Sequence, residues 1–235
     1  MLNQIKSDQV IFVDIETVPA FPDFKSVPKI FQALWERKIS NSYRDEILPD
    51  DMHYNRAGIY AEFGKIACII AGVLHNDGKE IHLKSYYGLN EKDFLIDFAK
   101  MLVGLNADKL LCAHNGKEFD FPFLARRMLI NRISLPKILD TAGRKPWEVN
   151  HLDTMDLWKF GDYKSYTSIN LLAAVFGIPT PKDDIDGSDV HRVFWQENDL
   201  ERIVTYCRKD VITLARLFQC FKNQEMVKDE NVVLV

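Results

Sequence analysis

QVIFVDIETVP, residues 9–19, is a run of β-formers with two acids in its middle. Val10, Ile11, Phe12, Val13 and Ile15 favour a strand, and Thr17 and Pro19 close it. Side chains alternate along a strand, so Asp14 and Glu16 project from one face. Two carboxylates side by side in an apolar setting lose hydration and repel each other. At about 4 Å the repulsion is ~4 kcal/mol for an effective dielectric of ~20. A positive charge is therefore expected between them.

Outward from this strand, residues 19–63 carry four prolines (Pro19, Pro22, Pro28, Pro49) and are too long for an ordinary connection, so they read as an insertion. Within it, PKIFQALWERKI has helical spacing and RDEILPDD is an acidic stretch. GKIACIIAGVLH and KEIHLKSYY read as strands joined by the hairpin turn NDG. EKDFLIDFAKMLVG has helical period and stops at Gly104. KLLCAHN reads as a short buried strand, EFDFPFLARRMLINR as a helix and NHLDTMDLWKF as a further strand. SINLLAAVFG is a helix ending at Gly177, and NDLERIVTYCRKDVITLARLFQCF is the last long one. The order predicts an α/β fold, a mixed sheet flanked by helices, in a single domain over residues 1–235. The tail EMVKDENVVLV is expected to be peripheral or loosely held.

Composition narrows the class. The chain has 235 residues, 47% of them hydrophobic, with only 11 glycines, enough for a sizeable core. No run approaches the ~18 apolar residues that span a membrane, and the N-terminus lacks signal-peptide features. A cytoplasmic protein with no membrane partner is expected. Cys68, Cys112, Cys207 and Cys220 form no C-x-x-C pair and read as reduced thiols. A net charge of −4 gives no overall attraction to polyanions. A bound polyanion would need a local basic patch or cations.

Three pieces carry chemistry. Asp14-Ile15-Glu16 is the first. HNGKEFDFPFL, residues 114–124, places Asp120 near a helix start. YCRKD, residues 206–210, sets Tyr206 and Asp210 four apart on one helix face. Each alone is weak. In this order they resemble the three motifs of the DEDD superfamily of 3′–5′ exonucleases, and most closely the proofreading exonuclease domain of family B DNA polymerases. FVDIETVP matches the D-x-E-T motif of that family. Asn115, Phe119, Asp120, Pro122, Phe123 and Leu124 match its second motif, and Tyr206, Cys207 and Asp210 its third. The resemblance runs over roughly residues 9–221, apart from the 19–63 insertion. No polymerase domain follows, so a stand-alone exonuclease is expected.

The resemblance implies a ribonuclease H-like fold with a five-stranded mixed sheet. It also implies that Asp14, Glu16, Asp120 and Asp210 hold two divalent cations, Mg²⁺ or Mn²⁺, which would answer the charge problem in the first strand. By the same resemblance Asp14 bridges both ions, Glu16 and Asp210 complete one, and Asp120 supports the other. The product would be a nucleoside 5′-monophosphate. Tyr206, four before Asp210, places the chain in the tyrosine branch, where the phenol orients the attacking water; the alternative branch has a histidine five before the aspartate, where Thr205 stands here. An unperturbed pKa of ~10 suits a positioner better than a base.

Each assignment has a plainer rival. Asp120 could serve as a helix-start cap, and Tyr206 and Asp210 could belong to an ordinary amphipathic helix. His114 reads as structural, and Asp153 and Asp156 as polar residues near a strand end. Asn115 is divided between substrate binding and a turn. The substrate shell is assigned to Thr17, Asn115, Phe119, Arg126 and Arg127; Phe121 and Phe123 read as core. The basic segment from Arg126 to Lys145 is divided between a solvated face and phosphate contact. The acidic loop at Asp183, Asp184, Asp186 and Asp189 would repel a strand. The expected partner is single-stranded nucleic acid, DNA favoured over RNA. The rivals are an RNA-trimming exonuclease, a non-catalytic nucleic-acid-binding module and a metal phosphatase of small nucleotides.

Overall fold

A computed structural model describes residues 2–42, 56–162, 164–179 and 184–235. Its main elements are β1 (Val10–Pro19), α1 (Lys29–Ser42), β2 (Gly64–His75), β3 (Glu80–Tyr87), α2 (Glu91–Val103), β4 (Leu110–Ala113), α3 (Asp120–Ile130), β5 (Leu152–Asp153), α4 (Thr154–Lys159), α5 (Ile169–Phe176), α6 (Leu200–Phe221) and β6 (Val232–Leu234). A single helical turn, Val190–Arg192, runs into a π-helical turn, Val193–Glu197.

The sheet has the order β5-β4-β1-β2-β3-β6. β1, β2 and β3 run antiparallel, while β4, β5 and β6 each pair parallel with a neighbour. This is the mixed α/β sheet expected, with one strand more than the five anticipated. The sixth comes from the tail. Val232, Val233 and Leu234 pair with Ile81, His82 and Leu83, so the C-terminal segment is part of the sheet and not loosely held. The β2–β3 turn falls at Asn76-Asp77-Gly78, all three at positive φ, as a tight hairpin turn demands.

NHLDTMDLWKF also departs from its reading as a strand. Only Leu152 and Asp153 pair with β4, and helix α4 starts at Thr154. The cause is local: the Asp153 carboxylate accepts from the amides of Met155 and Asp156 and caps the new helix. The acidic stretch RDEILPDD lies outside the described residues. In the part of the insertion that is described, Trp35 and Ile39 of α1 form a small core with Ala57, flanked by Tyr60 and Phe63.

Alternation along β1 sorts the two faces. Val10, Phe12 and Val18 pack under α6 with Val204, Cys207, Val211, Leu214 and Phe218. Ile11, Val13 and Ile15 pack on the other side with residues of α2 and α3, among them Phe94, Phe98, Phe121 and Leu124. Asp14 and Glu16 therefore stand on the α6 side. Gly72 of β2 lets that helix come close, since a Cβ there would lie 2.8 Å from Val211 Cγ1.

Candidate active site

Three chain segments meet at one end of β1. The strand presents Asp14 and Glu16, α6 brings Tyr206, Cys207 and Asp210 down onto them, and the first residue of α3 is Asp120. A ligand oxygen of Asp14, one of Glu16 and the Cys207 sulfur lie within 4.8 Å of one another, the one such group of three found among the described residues. Asp14 and Glu16 keep partial exposure, while Asp120 is 4% exposed.

The electrostatics follow from this crowding. Burial, then the charges of Glu16, Asp120 and Asp210, push the Asp14 carboxyl well above the usual carboxylate range. Burial does the same to Glu16, with Cys68, Asp210 and Asp120 adding to it. Asp120 is pushed up to about 7 by burial, partly offset by its own amide and that of Ile15, both of which donate to its carboxylate. Asp210 rises to about 6 through burial, against a hydrogen bond that the Tyr206 hydroxyl donates to it. Tyr206 is raised well above the ordinary phenol value, first by burial and then by Asp210, Glu16 and Asp14. At neutral pH its proton stays on. The five residues singled out for chemistry thus share one electrostatic neighbourhood.

The turn after β4 is built by Asp153. Its carboxylate, 3% exposed, accepts from the amides of Asn115 (2.9 Å) and Lys117 (3.1 Å) as well as from the start of α4. Asn115 sits at φ 62°, and its carbonyl accepts from the amides of Glu118 and Phe119. It makes a turn with its backbone. His114 is structural, its ring bonded to Thr154 Oγ1 (2.9 Å) and to the carbonyl of Thr167 (3.0 Å).

Beside Glu16 opens a cavity of about 460 Å³, in the size range of small-ligand pockets. Glu16, Thr17 and Phe119 line it, together with Arg56, Ile59, Ser188 and His191 among others. Two of the expected substrate-shell residues therefore line a concavity next to the acids. The two arginines do not. Arg127 grips Glu91 through Nε (2.9 Å) and Nη2 (2.5 Å) and the Ala61 carbonyl through Nη1 (2.8 Å), with only 11% of its side chain exposed. Its guanidinium is committed to the fold, which corrects its reading as a phosphate contact. Arg126 is exposed on α3. Of the acidic loop, Asp184 is held by Arg202 (2.7 Å) and Asp189 by Arg192 (2.8 Å), so its described charges are largely answered within the protein; Asp183 lies outside the described residues.

The donor set suits hard divalent cations, which take carboxylate and water oxygens. Four carboxyls whose proton affinities are raised by burial and, at Asp14 and Glu16, also by neighbouring carboxylates gain from a shared cation, because its charge offsets the lost hydration and the repulsion. Sequence reasoning passed over one side chain here. Cys207 lay inside the third motif without a role, and its thiol donates to Asp14. Asp153, read as a polar residue near a strand end, ends β5 and in addition caps α4, a role its N-cap signature with Asp156 three residues on could have marked.

Residues 60–230 match the model of a family described as predicted 3′–5′ exonucleases related to the exonuclease domain of PolB. That span includes Asp120, Tyr206 and Asp210 and leaves Asp14 and Glu16 outside. No curated protein matches the chain. Among solved structures, the family B DNA polymerase of the hyperthermophilic archaeon Pyrobaculum calidifontis is similar at 14% identity and a TM-score of 0.49, over 91% of this chain and 24% of that one. The chain thus spans about a quarter of the polymerase.

Proposed function

Because the chain belongs to the family of predicted 3′–5′ exonucleases related to the exonuclease domain of PolB, we propose that it is a metal-dependent nuclease. It shortens single-stranded DNA from the 3′ end and releases nucleoside 5′-monophosphates. The observation that carries this reading is the shared electrostatic neighbourhood of Asp14, Glu16, Asp120 and Asp210, each carboxyl raised by burial, with a phenol, hydrogen-bonded to Asp210, that keeps its proton.

Asp14, Glu16, Asp120 and Asp210 would hold two divalent cations, Mg²⁺ or Mn²⁺. When bound, such ions polarise a phosphoryl oxygen, lower the pKa of water and stabilise a leaving alkoxide. The protein's share is placement. Asp14 and Glu16 lie on a rigid central strand, which fixes their separation. Tyr206 donates a hydrogen bond to Asp210 and keeps its proton, so its oxygen is left as an acceptor for a water O–H and orients that water toward the phosphorus. It works as a positioner, since a phenol this hard to ionise is a poor base. Thr17 and Phe119 border the cavity beside Glu16, where the terminal nucleotide would sit, with the Phe119 ring available to stack on a base.

The test uses 5′-labelled single-stranded DNA and RNA of one sequence with Mg²⁺, Mn²⁺ or chelator, beside Asp14→Asn. A metal-dependent ladder shrinking from the 3′ end, absent in the variant, is expected, with DNA the faster strand. Faster RNA shortening would move the substrate to RNA. Strand binding with no ladder would leave a non-catalytic module, and phosphate release from free nucleotides alone would make it a phosphatase.

A further inference from the structure

We propose that Cys207 is a positioning residue for the acidic cluster: its thiol donates a hydrogen bond to Asp14 and holds that carboxylate in the orientation that receives the cations. The inference rests on reading the cluster as a cation site and adds a residue to it.

The Cys207 sulfur lies 3.1 Å from Asp14 Oδ2 and 3.5 Å from the Asp14 carbonyl oxygen. It is fully buried, so its place is set by the packing of α6 against β1 and β2. Cys68 pairs with Glu16 across the sheet, and its side chain is among those that push the Cys207 thiol up. Two buried cysteines therefore stand beside the two strand acids. The chemistry of a thiol suits that place. A lysine there would cancel the charge that draws cations, and an alanine would leave Asp14 Oδ2 without this donor. A small neutral donor orients the carboxylate and leaves its charge available. Partners that orient ligating carboxylates are commonly worth about 10- to 100-fold in metal affinity.

A purely packing role predicts something else: cation affinity would not depend on a donor at residue 207. The experiment titrates Mn²⁺ into the whole chain without substrate and follows free Mn²⁺ by electron paramagnetic resonance. It compares wild type, Cys207→Ser, which keeps a donor, and Cys207→Ala, which removes it. Near-ultraviolet circular dichroism checks that each is folded. The expected result is Mn²⁺ affinity about ten-fold weaker in Cys207→Ala, with Cys207→Ser within about three-fold of wild type. Equal affinity in all three, or equal loss in Ser and Ala, overturns the positioning role. If Cys207→Ala does not fold, Cys207→Val takes its place as the variant without a donor: affinity lost in Val and kept in Ser supports the role, and equal affinity or equal loss in the two overturns it. Wild type that binds no Mn²⁺ overturns the cation site itself, whereas Mn²⁺ binding that depends on Cys207 in a protein without a nuclease ladder overturns only the exonuclease reading.

Discussion

Asp120 and Asp210 set a pH dependence whose sign can be worked out. Their carboxyls are raised from 3.8 to about 7 and about 6 in the folded protein. Below about pH 4 both the folded and unfolded chains hold these protons, and the cluster costs nothing. As the pH climbs toward 7 the unfolded chain releases protons that the folded chain retains, so stability falls over that window. The cation-free protein should therefore melt progressively lower from about pH 5 to about pH 8, and Mg²⁺ should reverse most of the loss. A flat melting temperature in chelator across that range would sink the idea of four crowded acids. Tyr206→Phe tests the phenol: turnover should drop about ten-fold, the worth of one hydrogen bond of roughly 1.4 kcal/mol. The cation concentration giving half-maximal rate should stay in place. Unchanged turnover would reduce Tyr206 to packing. Asp14 and Glu16 stood out in the sequence because acids inside an apolar strand are out of place, whereas Tyr206 and Asp210, an ordinary pair on one helix face, stood out only through the resemblance of the three motifs taken together. Cys207 did not stand out, because a thiol inside an apolar helix face looks like core until the strand beneath it is known.

The helices and strands owe their legibility to period and punctuation, and the exceptions have local causes. The strand expected at 150–160 failed because a single capping carboxylate, Asp153, turned the chain into α4 after two paired residues. Arg127 shows the limit of charge counting. In sequence it is one of a run of bases, but the fold spends it on Glu91, whose carboxylate also accepts from the Ile66 amide (2.8 Å) and from Asn131 (3.0 Å). Ile66 is where β2 slips register against β1, directly after Glu16. The network thus ties α3 and the start of α2 to the strand irregularity beside the acids. Breaking a largely buried pair by removing one partner costs about 3–5 kcal/mol, because the other charge is stranded. Arg127→Met should lower stability by about that much in urea unfolding. It should leave the salt dependence of strand binding unaltered, whereas loss of a phosphate contact would reduce the slope by about 0.7.

At the scale of the whole molecule, the last helix joins two ends of the protein that the sequence leaves unconnected. α6 presents Tyr206, Cys207 and Asp210 to the acids, and farther along it carries Arg216 and Gln219, both buried. The tail answers them: Arg216 Nε donates to the Val227 carbonyl (2.9 Å), its Nη2 to Asp229 (2.6 Å), and Gln219 accepts from the Val227 amide (2.9 Å). β6 then continues along β3. An eleven-residue tail ending in valines gives no local sign of this, because parallel pairing to a strand some 150 positions earlier has no turn signature. Deleting residues 225–235 should strand the Arg216 guanidinium and expose the edge of β3. We expect a loss of several kcal/mol, read as a lower urea midpoint. Asp210 lies six residues before Arg216, about 9 Å along the helix. Well below its melting temperature the truncated protein should therefore still bind Mn²⁺ within about three-fold of the full chain, since interactions this far apart with no shared partners act nearly independently. Full stability without the tail would return it to the loose end its sequence suggests. Retained stability with lost Mn²⁺ binding would mean that α6 transmits the tail's grip to the acids as a rigid body.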